Sequence, residues 1–255
     1  MKPHISFSEL KDWNTCPFYH KLKHIESLKG FVGNEYTAFG TAIHTVCEKK
    51  LLNEHADEAL FLSEFENQIK ILEDDSVELR PKLVQDLRGQ AAAIIPLIEP
   101  ALKDYFQDGY EVLETEERLM VQIPDQPKKF KGFIDAVFKT PDGKVHIVDW
   151  KSCSWGWDAR KRADPMVVYQ LVLYKHFYAL KHNIDPSMIE THFALLKRTA
   201  KNNNVEFFRV TSGPKRVQNA LKVLSNALYN ITNNKFLKNK LSCSRCDFHK
   251  TEHCP

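Results

Sequence analysis

The first apolar spacing along the chain is helical. Ser6 and Glu9 stand at the Ser-x-x-Glu distance of a capping box, with Leu10 and Trp13 following at helical intervals. Cys16-Pro17 then ends that helix or starts another, because proline has no amide proton and suits a first helical position. A further helix is predicted through "FGTAIHTVCEKKLL", with Ile43, Val46, Leu51 and Leu52 as its apolar positions. Residues 56–106 keep the helical period through Leu83, Leu87, Ile94, Ile98 and Leu102, while Pro81, Pro96 and Pro100 must cap or kink these helices. At Tyr110 the period shortens to that of strands. "YEVLETEERLMVQIP", "FKGFIDAVFKT" and "KVHIVDW" are predicted strands, the last two joined at the turn signal Pro141-Asp142-Gly143. A helix through "DPMVVYQLVLYKHFYALKH", strands "IETHFALLKR" and "VEFFRV", a helix through "PKRVQNALKVLSNALYNI" and the tail "CSRCDFHKTEHCP" complete the order. This order predicts an α/β fold: a mixed central sheet flanked by helices, in one domain over 1–255, with 53–108 as a helical insertion covering one side of the core.

Composition narrows the class. With 255 residues and 43% hydrophobic content the chain can bury a substantial core, and 27% charge without a low-complexity tract argues against disorder. A net charge of +3 excludes a uniformly basic nucleic-acid coat but leaves room for a local patch. No apolar run approaches a membrane span, and "MKPHISFSELKDW" has no signal-peptide apolar region. A soluble, cytoplasmic protein of a bacterial or phage-infected cell, without membrane partners, is the expectation. Six cysteines in such a chain point to free thiols or metal ligation rather than disulfides.

The candidate chemistry lies in "IVDWKSCSW", residues 147–155. If the turn at 141–143 is a three-residue loop, Thr140 pairs with Lys144, and continued pairing puts Asp135 opposite Asp149. Opposed residues have Cβ atoms about 4.5–5.5 Å apart, so two carboxylates repel there unless a cation intervenes or one is protonated. A divalent cation with oxygen ligands meets that condition. Lys151, two residues after Asp149, projects from the same face, where an ammonium can orient water or stabilise charge on a phosphate. Alone, Asp-x-Lys is far more often a surface ion pair.

Gly132-x-x-Asp135, Asp149-x-Lys151 and Gln170-x-x-x-Tyr174, preceded by Gly40-x-x-x-His44, resemble the PD-(D/E)XK nucleases, and most closely the RecB-like, Cas4-like exonucleases. The resemblance spans Ser6 to the end except the insertion. It implies a restriction-endonuclease-like core and Mg²⁺ or Mn²⁺ held by His44, Asp135, Asp149 and the backbone carbonyl of Trp150. Lys151 would position or activate water. Gln170 and Tyr174, one helical turn apart, would pack beside the site and help bind DNA. The resemblance also expects an acidic residue before the hairpin. Glu116 fits best, with Glu114 and Glu117 nearby, and Glu48 stands one turn beyond His44.

Outside these motifs, Trp155 and Trp157 are candidates to stack on bases or to close the core edge, and Arg160, Lys161 and Arg162 to contact phosphates or form a solvated loop. Cys243-x-x-Cys246 and Cys254 lack a local fourth ligand, which Cys16 can supply from the other end. One N-terminal and three C-terminal cysteines match the iron–sulfur staple of the resembling nucleases and imply a [4Fe–4S] cluster joining 243–254 to Cys16. His249 and His253 in the long gap before Cys254 keep a Zn²⁺ site as the alternative. Cys47 fits a buried position, and Cys153 has no assigned role.

The expectation is a metal-dependent DNA exonuclease of recombination, repair or replication, acting on single-stranded DNA or duplex ends. With no Walker A motif, any motor would come from a helicase partner; a recombinase or single-strand-binding protein are further expected partners. The alternative is a non-catalytic nucleic-acid-binding or adaptor protein on the same fold.

Overall fold

The computed structural model describes residues 2–255. Strand β1 (His4–Ser6) leads into α1 (Phe7–Thr15), where the Ser6 hydroxyl accepts from the Glu9 amide at 3.2 Å. The second half of the predicted capping box does not form, because the Glu9 carboxylate is drawn instead to buried His20, 2.9 Å away. Pro17 opens α2 (Pro17–His20), which widens into a π turn over Lys21–Ile25. Helix α3 (Glu35–Leu51) starts at a capping box between Asn34 and Thr37. It is followed by α4 (Glu58–Asp74), α5 (Pro81–Gln90) and α6 (Ile98–Tyr105). Pro81 occupies the first turn of α5, Pro96 lies in a short 3-10 turn, and Pro100 falls in the first turn of α6.

Next come β2 (Glu111–Gln122), β3 (Lys129–Lys139) and β4 (Val145–Cys153), a short α7 (Ala159–Ala163), and α8 (Pro165–His182) capped by Asp164. Strands β5 (Ile189–Lys197) and β6 (Val205–Val210) and helix α9 (Pro214–Thr232) complete the set. All six strands form one mixed sheet, ordered β1-β3-β4-β5-β6 with β2 on the other edge of β3. One apolar layer, built on α1, α8 and α9, covers one face of the sheet, and α3 to α6 build the layer on the other. Among the described residues no helix is long and apolar enough to cross a membrane.

One feature of the sheet positions the candidate site. Strand β3 shares a single edge between two partners: β1 pairs in parallel with Lys129–Lys131, and β4 pairs antiparallel with Ala136–Lys139. Between them, at Gly132–Asp135, the sheet forks. Beyond Val148, β4 continues beside β5 rather than β3.

Candidate active site

The hairpin has the register expected from its turn. Thr140 and Lys144 are bonded across the loop at 3.0 Å, Gly143 takes φ +84°, and Ala136 lies opposite Val148. One residue further, at the mouth of the fork, stand Asp135 and Asp149. There the Asp135 carboxylate accepts the Trp150 amide at 2.7 Å, replacing the ladder bond that the parting strands give up. The Trp150 ring itself is buried.

The two carboxylates are reached from opposite faces of the sheet. From α3, His44 Nδ1 lies 3.7 Å from Asp135 Oδ2, too long for a hydrogen bond but close enough for its charge to matter. From α8, Gln170 Nε2 donates to Asp149 Oδ1 at 2.8 Å and lies 3.3 Å from the Tyr174 hydroxyl. Lys151 makes a direct ion contact with Asp149 Oδ2. Gly132 is required by this packing: a Cβ there would stand 2.7 Å from Tyr174 Cε1.

Electrostatics separates the acids. Burial pushes the Asp149 carboxyl up to about 6 against the pull of Lys151, and the charge of Asp135 adds to the rise. Burial would also raise Asp135, but His44, Lys151 and the Trp150 amide outweigh it and hold its carboxyl below the usual range. Burial would lower His44, and Asp135 reverses this and raises it. Glu116 faces the same acids across β2–β3. Burial pushes it up, and the charges of Asp135 and Glu48 add to the push. It sits at φ +49°, a left-handed conformation unusual for a residue with a side chain inside a strand. Glu114 and Glu117 belong elsewhere, with Glu117 held by Lys181 at 2.5 Å and His182 at 3.0 Å.

These residues suit a hard divalent cation. The donors are two carboxylates and an imidazole, and the buried Asp149 Oδ2 has an ion contact but no aligned hydrogen bond. Among the described residues, tighter His/carboxylate groups do occur at His146–Glu190–His192 and Glu114–Glu117–His182, and neither includes Asp135 or Asp149. In the first, both histidines already bond through both ring nitrogens: Thr140–His146 at 2.9 Å, His146–His192 at 3.0 Å and Tyr105–His192 at 2.9 Å. This relay had no sequence signal beyond two histidines in apolar strands.

The other expected residues part company. Trp155 is 78% exposed, whereas Trp157 is buried against Phe193 and Phe208 and closes the core. The basic run splits likewise. Lys161 lies over the Trp157 ring, Arg162 bonds Glu206 at 2.6 Å and the Trp157 carbonyl at 2.9 Å, and Arg160 remains exposed. Cys16, Cys243, Cys246 and Cys254 line one cavity of about 310 Å³ together with His249, and the Asn239 amide lies 3.2 Å from Cys16 Sγ. His253 stands outside that lining. Cys47 is fully buried, and Cys153 is half-buried at the end of β4.

No curated protein matches this chain. Among solved structures, a protein from Eubacterium rectale, described provisionally as an exonuclease, superposes with a TM-score of 0.63 at 14% identity, covering 97% of this chain and 88% of that one. SSO0001 gives a TM-score of 0.45 at 12% identity over 97% of this chain and 84% of its own, and nothing rests on it. The first likeness speaks for the fold alone. The family model of the PD-(D/E)XK nuclease superfamily, in contrast, matches residues 4–252, and over that span, fork and hairpin included, the chain belongs to this superfamily.

Proposed function

We propose that the protein is a divalent-metal-dependent DNA exonuclease that hydrolyses phosphodiester bonds in DNA recombination, repair or replication. The observation that carries the reading is the pairing of half-buried Asp135 with buried Asp149 at the mouth of the fork, with His44 on one side and Lys151 on the other. Two carboxylates so placed repel unless a cation or a proton joins them. His44, Asp135, Asp149 and the Trp150 carbonyl would hold Mg²⁺ or Mn²⁺. Such an ion, when bound, supplies Lewis acidity to a phosphate oxygen and makes water easier to deprotonate.

The remaining work falls to the chain. The Lys151 ammonium orients the attacking water and balances negative charge growing on the phosphate. Gln170 fixes the rotamer of Asp149, and Tyr174 backs Gln170. Glu116, facing Asp135, completes the acidic lining. The description of the Eubacterium rectale protein is consistent with exonuclease over endonuclease action.

Cys16, Cys243, Cys246 and Cys254 are proposed to hold a [4Fe–4S] cluster. A single Zn²⁺ with bonds of about 2.0–2.3 Å draws its ligand atoms close together. With His249 in the same cavity lining, such a Zn²⁺ site is the alternative.

The test is cleavage of end-labelled DNA with Mg²⁺ or Mn²⁺. Asp149→Ala and Lys151→Ala are expected to lose cleavage by at least about a hundredfold while still binding DNA. Wild-type rates in either variant would remove the site assignment, and binding without cleavage by the wild type would favour the adaptor alternative.

A further inference from the structure

The α3 residues beside the sheet form one row at a spacing of four: Tyr36, Gly40, His44 and Glu48. Each faces a different partner. Glu48 presents its charge to Glu116, His44 approaches Asp135, and Gly40 lies 3.6 Å, measured from its would-be Cβ, from Ser152 Oγ on β4. Tyr36 ends the row, half-exposed, under the guanidinium of Arg198 at 4.6 Å. The row therefore runs along α3 from a cationic end at Arg198 to an acidic end at Glu48, with the candidate metal ligands between. Eight residues separate Tyr36 from His44, roughly 12 Å along the helix.

Arg198 is the anomaly of that cationic end. It follows β5, is only 9% exposed, and its Nε has no hydrogen-bond partner. The arginine ion pairs of the chain belong to Arg80, Arg88, Arg162 and Arg209, and among the described residues none involves Arg198. Its contacts are the rings of Tyr36 and Phe39 and the Ser154 hydroxyl, 3.3 Å from one Nη. Arginine cannot shed its charge, and a buried charge without a counter-ion is costly. The aromatic rings recover part of that cost. Arg80, the other cation near Tyr36, is already neutralised by Glu35 at 3.1 Å. Arg198 is thus positive charge held ready, beside a hydroxyl donor and a half-exposed ring. A phosphate next to a stackable base fits that set: the fork of the guanidinium and the Ser154 hydroxyl for the oxygens, Tyr36 for the base.

We infer that Arg198 and Ser154 bind a backbone phosphate of the nucleic-acid strand several nucleotides from the scissile bond, with Tyr36 against the adjoining base. The inference rests on the DNA-processing reading but not on cleavage itself. It assigns the direction in which the strand lies, along α3 from Arg198 toward His44.

The experiment measures binding of a short fluorescein-labelled single-stranded oligonucleotide, with Ca²⁺ in place of Mg²⁺, across a salt series. Arg198→Met is expected to weaken binding roughly tenfold and to make the salt slope shallower by about one phosphate contact. Ser154→Asp places a carboxylate beside the guanidinium. It is expected to weaken binding similarly while raising Tm, a combination that a purely structural arginine would not give. Wild-type affinity and slope in Ser154→Asp overturn the inference, and it decides the matter even if Arg198→Met fails to fold. The two readings fail separately. If the wild type does not cleave while Ser154→Asp still weakens binding, the chemistry fails while the phosphate grip stands. If cleavage is intact and Ser154→Asp binds normally, the grip fails while the chemistry stands.

Discussion

Gly132 shows how little of a residue's purpose is visible in its letter. Its place in the motif is legible, but its reason is Tyr174, forty-two residues away and in contact where a Cβ would sit. Gly132→Ala forces that ring to shift and should cost about 1–3 kcal/mol, with cleavage falling as Gln170 loses its backing. In a Tyr174→Leu background the same change should cost much less, and a double-mutant cycle of chemical denaturation measures the difference. Arg198 escaped the sequence reading for a related reason. It follows Lys197 at the end of an apolar strand, a shorter basic signal than the run Arg160–Arg162. Yet within that run Arg162 is already paired and Lys161 is laid on a ring. Trp155 and Trp157, two residues apart, are equivalent as letters; only the packing of Phe193 and Phe208 separates them.

Elements with local causes were legible. The β3–β4 register follows from one glycine in a three-residue loop, and α8 from Asp164-Pro165 before an apolar stretch. Strand β1 was missed because three residues cannot announce a partner at Lys129–Lys131, and the π turn after α2 because nothing in "KLKHI" departs from an ordinary helix. The parallel pairing of β4 with β5 also escaped local reading, and it creates the buried relay of His146 and His192. Burial pushes His192 down to about 3, so it stays neutral in the folded chain, and burial lowers His146 as well. Unfolded histidine titrates near 6.5. As pH falls through that value the unfolded chain takes up protons that the fold refuses, so stability is present above about 6.5 and is lost as pH drops toward about 3. From pH 7 to 5 the loss from His192 alone should be about 2 kcal/mol. Melting curves of His192→Gln over the same range should show a shallower fall than wild type; parallel profiles would count against a neutral, buried His192.

Over the whole molecule, the sheet with helices on both faces was foreseeable from the order of periods, and the helices within 56–106 from the spacing of Leu83, Leu87, Ile94, Ile98 and Leu102. The meeting of the two ends was legible only as cysteine arithmetic. In space it is also built from ordinary contacts: Phe18 to Leu237 at 3.2 Å, Asn239 to Thr15 at 2.8 Å and Tyr19 to Asp247 at 3.3 Å. A cluster at Cys16, Cys243, Cys246 and Cys254 would close a loop of nearly the whole chain, and closing long loops removes the most freedom from the unfolded state. Anaerobically purified protein is expected to be brown, with broad absorption near roughly 400 nm. Cys246→Ser should bleach it and lower Tm while leaving the Asp149 chemistry measurable. A colourless wild type carrying one Zn²⁺ would replace the cluster with the alternative.

The parting of β3 from β4 has a mechanical side. Asp135 rides on a strand clamped by β1 and β2, and Asp149 on one clamped by β5, so the two carboxylates sit on different arms of a caliper whose pivot is the pairing of Ala136 with Val148. A small change of twist between the half-sheets alters their separation without breaking any ladder. Whatever holds both carboxylates at once also locks that twist, so slower amide exchange would spread from the mouth toward β1 and β5, well beyond the groups that touch it.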